Sequence, residues 1–259
     1  MSVDADAAAG ALIDAWEHLV AEVPDGWSRR RSGILAAVTG VEVPTLNGVW
    51  VARDDAESGT MADLLDEVAA SGLPHCLQSR PGAAEQADRL AAEQGMRRDE
   101  IIPLMVLQRQ SALPSAGALN GLAIRELEPH EAALHASVAA AGFEAPAEPF
   151  LQLMTPSLLA ATGVRCYVGE VDGVAVTTGL GVTLGGSVGI FNIATPPAHR
   201  RRGFGAAVTA RAVTDGLAAG ATWSWLQASR AGRPVYERLG FRTLESWRSW
   251  VSVRARPAA

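Results

Sequence analysis

Two runs of residues occur twice along the chain, and this internal repeat constrains the fold more than any other feature. Leu77-Gln78-Ser79-Arg80-Pro81-Gly82 resembles Leu226-Gln227-Ala228-Ser229-Arg230-Ala231-Gly232, and Gln94-Gly95-Met96-Arg97 resembles Leu239-Gly240-Phe241-Arg242. In each half a short helical pattern lies between the two runs, and an apolar strand pattern follows. The 259 residues are enough for two domains of ~100–150 residues each. The repeat therefore predicts two similar domains in tandem; chance similarity in a chain rich in Ala, Gly and Arg is the alternative.

The predicted boundary is a linker at 110–120, which is small, polar and contains Pro and Gly. It separates a domain at 1–112 from one at 120–259. Strand and helix patterns alternate on both sides, and Asp172-Gly173 predicts a hairpin. We expect a mixed α/β fold, each domain having a central, mostly antiparallel sheet flanked by helices. Strands are predicted at 33–39, 48–53, 74–79, 101–109, 122–127, 164–171, 174–182, 187–195, 222–227 and 241–253. Helices are predicted at 7–20, 61–70, 83–94, 131–141, 150–159 (interrupted at Pro156) and 232–239, and one more runs from the basic glycine loop described below to 219.

Composition excludes several classes of function. The net charge is −6, whereas nucleic-acid binding needs many cations to neutralise phosphates. Every basic residue is arginine, as expected from the codon bias of a high-GC bacterium. Cys76 and Cys166 are far apart and outside any metal-ligand spacing, so they predict buried, reduced thiols and no metal site. The sequence shows neither a signal peptide nor an apolar run long enough for a membrane span, so we expect a soluble cytoplasmic protein.

A basic glycine loop, Arg200-Arg201-Arg202-Gly203-Phe204-Gly205, follows a predicted strand and opens a predicted helix. The first amides of a helix lack internal acceptors and carry partial positive charge. Because Gly203 and Gly205 have no side chains, a phosphate can approach the backbone closely. The loop therefore predicts an anion site. It lacks the Gly-Lys-Ser/Thr ending of a Walker loop, and Val208 stands where a dinucleotide fingerprint has its third glycine.

This loop resembles the pyrophosphate loop of the general-control-related N-acetyltransferase (GNAT) superfamily, Arg/Gln-x-x-Gly-x-Gly/Ala after a strand. One departure is Arg201, where many members have glycine. The later segment from Leu226 to Phe241, with Tyr236 before a Leu-Gly-Phe turn, is similar to the second half of the same signature. The resemblance covers roughly residues 120–254.

The resemblance implies where acetyl-CoA lies. The diphosphate is expected on the amides of 201–206, and the pantetheine arm beside the backbone of 193–195, between two diverging strands. It implies Tyr236 as the acid that protonates the CoA thiolate. The cofactor-binding residues that it implies are Ile193, Ala194, Thr195, Arg200, Arg201, Arg202, Gly203, Phe204, Gly205, Ala206 and Ser229.

The general base stays open. Asn192 stands on the strand where some members have a catalytic Glu, and an amide cannot accept the proton. Glu170, Glu144 and His199 are candidates, each with an ordinary surface role as the alternative, and water is the fallback. Trp225 is expected to pack under a helix or to line an acceptor pocket.

The function that these features favour is transfer of an acetyl group from acetyl-CoA to a primary amine of a small molecule or peptide. A silent acyl-CoA sensor and a nucleotide-binding domain are the alternatives. If the first domain is a second copy, the acidic segment 53–60 replaces its loop, and we expect it not to bind CoA. The acceptor, whose loops would be about 141–163 and 243–247, and the choice between monomer and homodimer are left open by the sequence.

Overall fold

The computed structural model describes residues 3–108 and 121–253, and the chain divides into two compact units. The first unit comprises Ala5–Pro103 and Glu245–Ala259, and the second comprises Met1–Asp4 and Leu104–Leu244. The predicted linker at 110–120 lies outside the described residues. In the described parts of the chain, no helix has both the length and the apolar character needed to cross a bilayer.

The first unit is a sheet with helices on both faces. Its core joins Met61 and Leu64 of one helix to Leu77 and Trp250 of two strands, while Trp16 stacks on Trp50 on the opposite face. Its strands are β1 (Trp27–Arg31), β2 (Ile34–Val38), β3 (Asn47–Val51), β4 (Cys76–Ser79) and the end of β11 (Arg242–Val251), and its helices are α1 (Ala5–Val20), α2 (Ser58–Ala69) and α3 (Ala84–Glu93). Neighbouring strands are antiparallel except β3 and β4, which are parallel.

The second unit repeats this plan and adds a strand and helices before it. Its strands are the end of β5 (Arg97–Gln108), β6 (Leu122–Glu126), β7 (Val164–Val171), β8 (Val174–Leu184), β9 (Ser187–Ala194) and β10 (Trp223–Gln227), and its helices are α4 (Ala132–Phe143), α5 (Glu148–Leu153), α6 (Pro156–Ala160), α7 (Phe204–Ala218) and α8 (Arg233–Arg238). The sheet order is β5-β10-β9-β8-β7-β6, and only β9 and β10 are parallel.

The structure confirms the tandem α/β fold that the repeat predicts. In each unit three antiparallel strands lead into a helix, a strand parallel to the third, a second helix and a final strand. The two glycines of the second repeated run, Gly95 and Gly240, both have positive φ, 65° and 91°. Each is followed by a buried apolar residue, Met96 or Phe241. The repeated runs therefore mark equivalent turns.

The boundaries of the units differ from the predicted 1–112 and 120–259. Residues 104–108 of β5 pair with β10 and count with the second unit, and residues 248–251 of β11 pair with β4 and count with the first. The cause is the burial of apolar side chains: Trp250 packs in the core of the first unit, and Met105 and Leu107 pack in the core of the second. Trp247 and Trp250 of β11 are both buried.

One strand was missed by the sequence analysis. β1 contains three consecutive arginines and is largely exposed, so it shows no alternation of apolar and polar residues. It is held as an edge strand by antiparallel pairing with β2, and Arg29 and Arg31 form ion pairs with Glu67 of α2. The other predicted elements are present, with ends shifted by a few residues.

Both cysteines are free and buried, as predicted, and one of them belongs to a buried polar cluster under α4. His135 is fully buried; its Nδ1 lies 2.6 Å from Thr178 Oγ1 and 3.0 Å from Cys166 Sγ. Thr178 Oγ1 donates its hydrogen bond to Tyr167 O, so it accepts a hydrogen bond from the N–H of His135 Nδ1. His135 Nε2 is buried and has no hydrogen-bond partner, and burial lowers the pKa of His135 from 6.5 to about 4.

This cluster predicts a loss of stability in mild acid. Between pH 6.5 and 4 the unfolded chain binds a proton at His135 that the folded chain excludes, so stability falls as the pH falls. Because of His135, we expect the free energy of unfolding to fall by about 2 kcal/mol between pH 7.5 and pH 5. Urea unfolding at both pH values measures it. His135→Gln should flatten the dependence, and His130→Gln, at an exposed position, should not; equal slopes in all three proteins would refute the assignment.

Candidate functional site

The start of α7 presents backbone amides without acceptors. The helix begins at Phe204, and its N-cap residue Gly203 supplies no side-chain hydrogen bond. The first helical hydrogen bond runs from Ala207 N to Gly203 O, at 3.0 Å. Because helical bonds join residue i to residue i−4, the amides of Phe204, Gly205 and Ala206 have no acceptor within the helix. These three donors and the positive end of the helix dipole form an anion-binding surface.

Backbone conformation shapes the loop before this helix. Gly203 has φ 84°, in the left-handed region that glycine enters without strain. Arg201 also lies there, with φ 62°, although it is not glycine. Many members of the family that the loop resembles have glycine at this position, and Arg201 takes a conformation in which glycine is favoured. A Cβ on Gly205 would lie 3.4 Å from both Ile193 Cγ2 and Thr195 Oγ1, so the loop is close to the end of β9.

The parallel strands β9 and β10 separate next to this loop. Their paired residues begin at Ser187 and Trp223 and end at Gly189 and Trp225, although β9 continues to Ala194. Beyond that pair, the ladder between the two strands does not continue. The divergence leaves the slot that an added extended chain requires.

A bulge redirects β9 at the point of divergence. Asn192 has φ 50°, and the pairing of β8 with β9 shifts register between Thr178 and Leu180. The Asn192 amide nitrogen lies 3.8 Å from Met154 Sδ. Trp225 is buried, with its ring 5.4 Å from that of Phe191 and edge-on to it, so it is a core residue.

The helix α8 places a tyrosine on the opposite wall. The Ser229 hydroxyl accepts from Gly232 N at 3.1 Å, and Ser229 O accepts from Gly232 N and Arg233 N, which fixes the start of the helix. The ring of Tyr236 is edge-on to Phe241, with 6.0 Å between centroids. Burial raises the pKa of Tyr236 to about 12, so its hydroxyl carries its proton at neutral pH.

These elements enclose a cavity of about 920 Å³, within the size range of small-molecule sites. All but one of the residues implied by the family signature line it: Ile193, Ala194, Thr195, Arg200, Arg201, Gly203, Phe204, Gly205, Ala206, Ser229 and Tyr236. Arg202 does not line the cavity; its guanidinium lies over the ring of Phe204, 4.7 Å from the centroid. The part of Arg202 in cofactor binding, which the sequence analysis placed on the backbone amides of 201–206, stays a prediction.

One wall of the cavity was not predicted. It is formed by Gly142, Phe143 and Glu144 at the end of α4. Gly142 lies against β9, since a Cβ there would be 2.8 Å from both Ala194 Cβ and Thr195 N. The Arg200 side chain ties this wall to the loop: it donates to Gly142 O (2.7 Å) and Thr195 O (3.1 Å) and pairs with Glu144 (2.7 Å). A glycine near a helix end is a weak signal, and only the tertiary contact gives it meaning.

The three candidate bases differ in whether they line the cavity and in whether the protein already binds them. Glu170 lies outside the cavity and is paired with Arg125, at 3.2 Å. Glu144 lines the cavity but its carboxylate is held by Arg200. His199 lines the cavity too, and its Nδ1 is buried without a hydrogen-bond partner. None of these side chains is held beside Tyr236 by a hydrogen bond in the described part of the chain.

The first unit has closed the equivalent slot. There β3 and β4 stay paired to their last residues, Val51 and Ser79, and Arg80 N still donates to Val51 O at 3.3 Å. The buried Arg80 guanidinium donates to Asp6 (2.6 Å), Glu245 (3.0 Å) and Ala52 O (3.2 Å). A buried arginine, held by groups of the protein, thus directly follows β4.

Comparison with known proteins agrees with this geometry. Residues 162–243 match the model of the acetyltransferase (GNAT) domain, and no curated protein matches the chain. Among solved structures, a GCN5-related N-acetyltransferase from Kribbella flavida is 20% identical with a TM-score of 0.69, over 98% of this chain and 97% of that one. A similar protein from Sphaerobacter thermophilus is 16% identical with a TM-score of 0.60, over 85% and 80%. A tandem GNAT protein from the clavulanic acid biosynthesis pathway is 14% identical with a TM-score of 0.56, over 99% and 98%. Residues 162–243 therefore match a GNAT acetyltransferase domain, and the fold of the chain is similar to that of solved GNAT structures, one of them a tandem GNAT protein.

Proposed function

We propose that this chain is an N-acetyltransferase that transfers the acetyl group of acetyl-CoA to a primary amine of a small molecule or peptide by direct attack. The observation that carries the proposal is the row of free amides at Phe204, Gly205 and Ala206, which opens into the same cavity as Tyr236. The free amides suit the diphosphate of acetyl-CoA, and the Tyr236 hydroxyl in the same cavity suits the thioester sulfur.

The cofactor has room to lie along the diverging strands. Its diphosphate accepts hydrogen bonds from the amides at the start of α7. Its pantetheine arm is an extended chain of amides and pairs with the backbone of β9 at Ile193 and Thr195. This arrangement brings the thioester toward the wall that carries Tyr236.

The chemistry requires few groups from the protein. A neutral amine attacks the thioester carbonyl, the C–N bond forms, the C–S bond breaks, and the electron pair leaves on the CoA sulfur. Holding the two reactants together supplies much of the rate. Tyr236 keeps its proton at neutral pH, so it gives a proton or a hydrogen bond to the departing thiolate. The proton of the attacking amine passes to water or to His199, which lines the cavity, because the Glu144 carboxylate is paired with Arg200.

The second candidate is a silent acyl-CoA-binding sensor, and catalysis separates the two. The deciding experiment measures thiol release from acetyl-CoA against amino acids, aminoglycosides, polyamines and short peptides. Turnover with any amine supports the enzyme; tight acetyl-CoA binding without thiol release over the whole panel supports the sensor.

Replacing Tyr236 by phenylalanine should slow turnover without weakening the binding of acetyl-CoA. We expect kcat to fall about 10²-fold, the scale of general acid catalysis, with KM for acetyl-CoA nearly unchanged. The matched control is Tyr167→Phe, because Tyr167 is the other tyrosine and bonds Asp215 in the core of the second unit. That variant should lose stability but keep its kcat. Equal rates for Tyr236→Phe and wild type would remove Tyr236 from the mechanism.

A valine at Gly205 should block the cofactor. Gly205 is the second residue of α7, and a larger side chain would project toward Ile193 and Thr195, where the pantetheine arm is expected. We expect CoA affinity, measured by calorimetry, to fall at least about tenfold, with the fold retained by circular dichroism. Gly59, the second residue of α2, is the equivalent control, since a Cβ there meets nothing within 4 Å. Unchanged affinity in folded Gly205→Val would overturn the site.

The full chain should bind one CoA. The second unit has the open slot, whereas in the first unit Val51 and Ser79 remain paired and acids follow β3 at Asp54, Asp55 and Glu57 and repel a diphosphate. Titration calorimetry on the intact chain should give a stoichiometry of one. A second CoA equivalent that survives Gly205→Val would show that the first unit has kept a site.

A further inference from the structure

Two stacked aromatic rings lie at the cavity of the second unit. Phe143, the last residue of α4, stacks on Phe150 of α5, with 5.7 Å between the ring centroids and 9° between the ring planes. Phe143 also lines the cavity, and 49% of its surface is exposed to solvent. Exposure of a large apolar side chain to water is unfavourable. A half-exposed ring on the wall of a cavity therefore offers a ligand an apolar surface to cover.

The end of α4 holds this ring in place. Glu144, which follows Phe143, has φ 54°, and Ala145 N donates to Ala140 O at 3.0 Å, so the helix closes with a tight reversal. After the reversal the chain returns, and Phe150 packs on the Phe143 ring. The turn and the neighbouring ring thus fix the position of Phe143 within the protein. A ligand that binds against a fixed ring loses little free energy in ordering it.

The charges of the cavity disfavour recognition of a polycation. An ammonium group is commonly held by a carboxylate, and among the described residues that line the cavity one has a carboxylate, Glu144. This carboxylate is paired with Arg200, at 2.7 Å. Two other lining side chains, Arg201 and Arg238, are cations, and like charges repel each other. The described lining therefore has no unpaired carboxylate to hold a second ammonium group of an acceptor.

We propose that Phe143, backed by Phe150, binds an aromatic or other apolar group of the acceptor, so that the substrate is a monoamine with an apolar body and not a polyamine. The proposal rests on the proposed function, because it assumes that the amine is acetylated in this cavity. Aromatic rings attract one another beyond the burial of their area. Because Phe143 and Tyr236 line the same cavity, an apolar group bound on Phe143 places its amine in the cavity where the thioester is expected.

The test compares 2-phenylethylamine, butylamine and putrescine as acceptors in the thiol-release assay. Butylamine lacks the ring, and putrescine is butylamine with a second amine, so the set separates the effect of the ring from that of charge. We expect kcat/KM to be about tenfold higher for 2-phenylethylamine than for butylamine. It should be lowest for putrescine, whose second ammonium group meets the lining arginines.

Three variants assign the preference to the ring. Phe143→Ala should lower kcat/KM for 2-phenylethylamine about tenfold, to the level of butylamine, while the Kd of CoA measured by calorimetry is unchanged. Phe143→Trp keeps an aromatic ring and should keep the preference. Leu151→Ala is the matched control and should behave as wild type, because Leu151 is a large exposed residue of α5 that does not line the cavity. Circular dichroism checks that each variant is folded.

The outcomes separate this inference from the proposed function. A kcat/KM for putrescine equal to or above that for 2-phenylethylamine would overturn the inference and would indicate a cation held by the ring. A preference for 2-phenylethylamine that survives Phe143→Ala, or that is lost equally in Leu151→Ala, would overturn it too. So would a loss of CoA affinity in Phe143→Ala with the preference unchanged, which would assign the ring to the cofactor. Each of these results includes turnover and leaves the proposed function standing; acetyl-CoA binding without thiol release from any amine would overturn both.

Discussion

The chemistry of this chain depends on three backbone amides that have nothing to bond within their own helix. A helix start usually satisfies such donors with a side-chain cap or with water. Here the N-cap residue is Gly203, which has no side chain to offer, and Gly205 keeps the surface open toward β9. The glycines therefore leave these amides without an acceptor from the protein. The divergence of β9 from β10 gives a ligand that supplies an acceptor room to reach them.

The two units show how one scaffold is opened or closed by local pairing. In the first, the ladder of β3 and β4 runs to Val51 and Ser79, and the buried Arg80 is held by acids and a carbonyl. In the second, the corresponding ladder stops at Gly189 and Trp225. We infer that the first unit is a degenerate copy, in which contacts within the protein have replaced those to a cofactor.

The sequence predicted the parts of the fold that local rules control. The turn Asp172-Gly173 has φ 51° and 78° at its two residues, the geometry that the Asp-Gly pair favours. The glycine loop and Tyr236 also follow from local pattern and resemblance. Three features needed tertiary information: the exposed arginine strand β1, the exchange of β5 and β11 between units, and the wall at Gly142 and Glu144. Each depends on a partner distant in sequence, and no periodicity reports such a partner.

The roles of the charged groups follow from which of them are already satisfied. Arg200 and Glu144 form an ion pair, and Arg200 also joins the end of α4 to β9, so its guanidinium is already committed within the protein. Burial raises the pKa of Tyr236 to about 12, so in the proposed reaction its hydroxyl acts as a proton or hydrogen-bond donor and not as a base. In that reaction the amine loses its proton to water or to His199, which lines the cavity. The proposed contribution of the protein is to position the two reactants and to stabilise the thiolate that leaves.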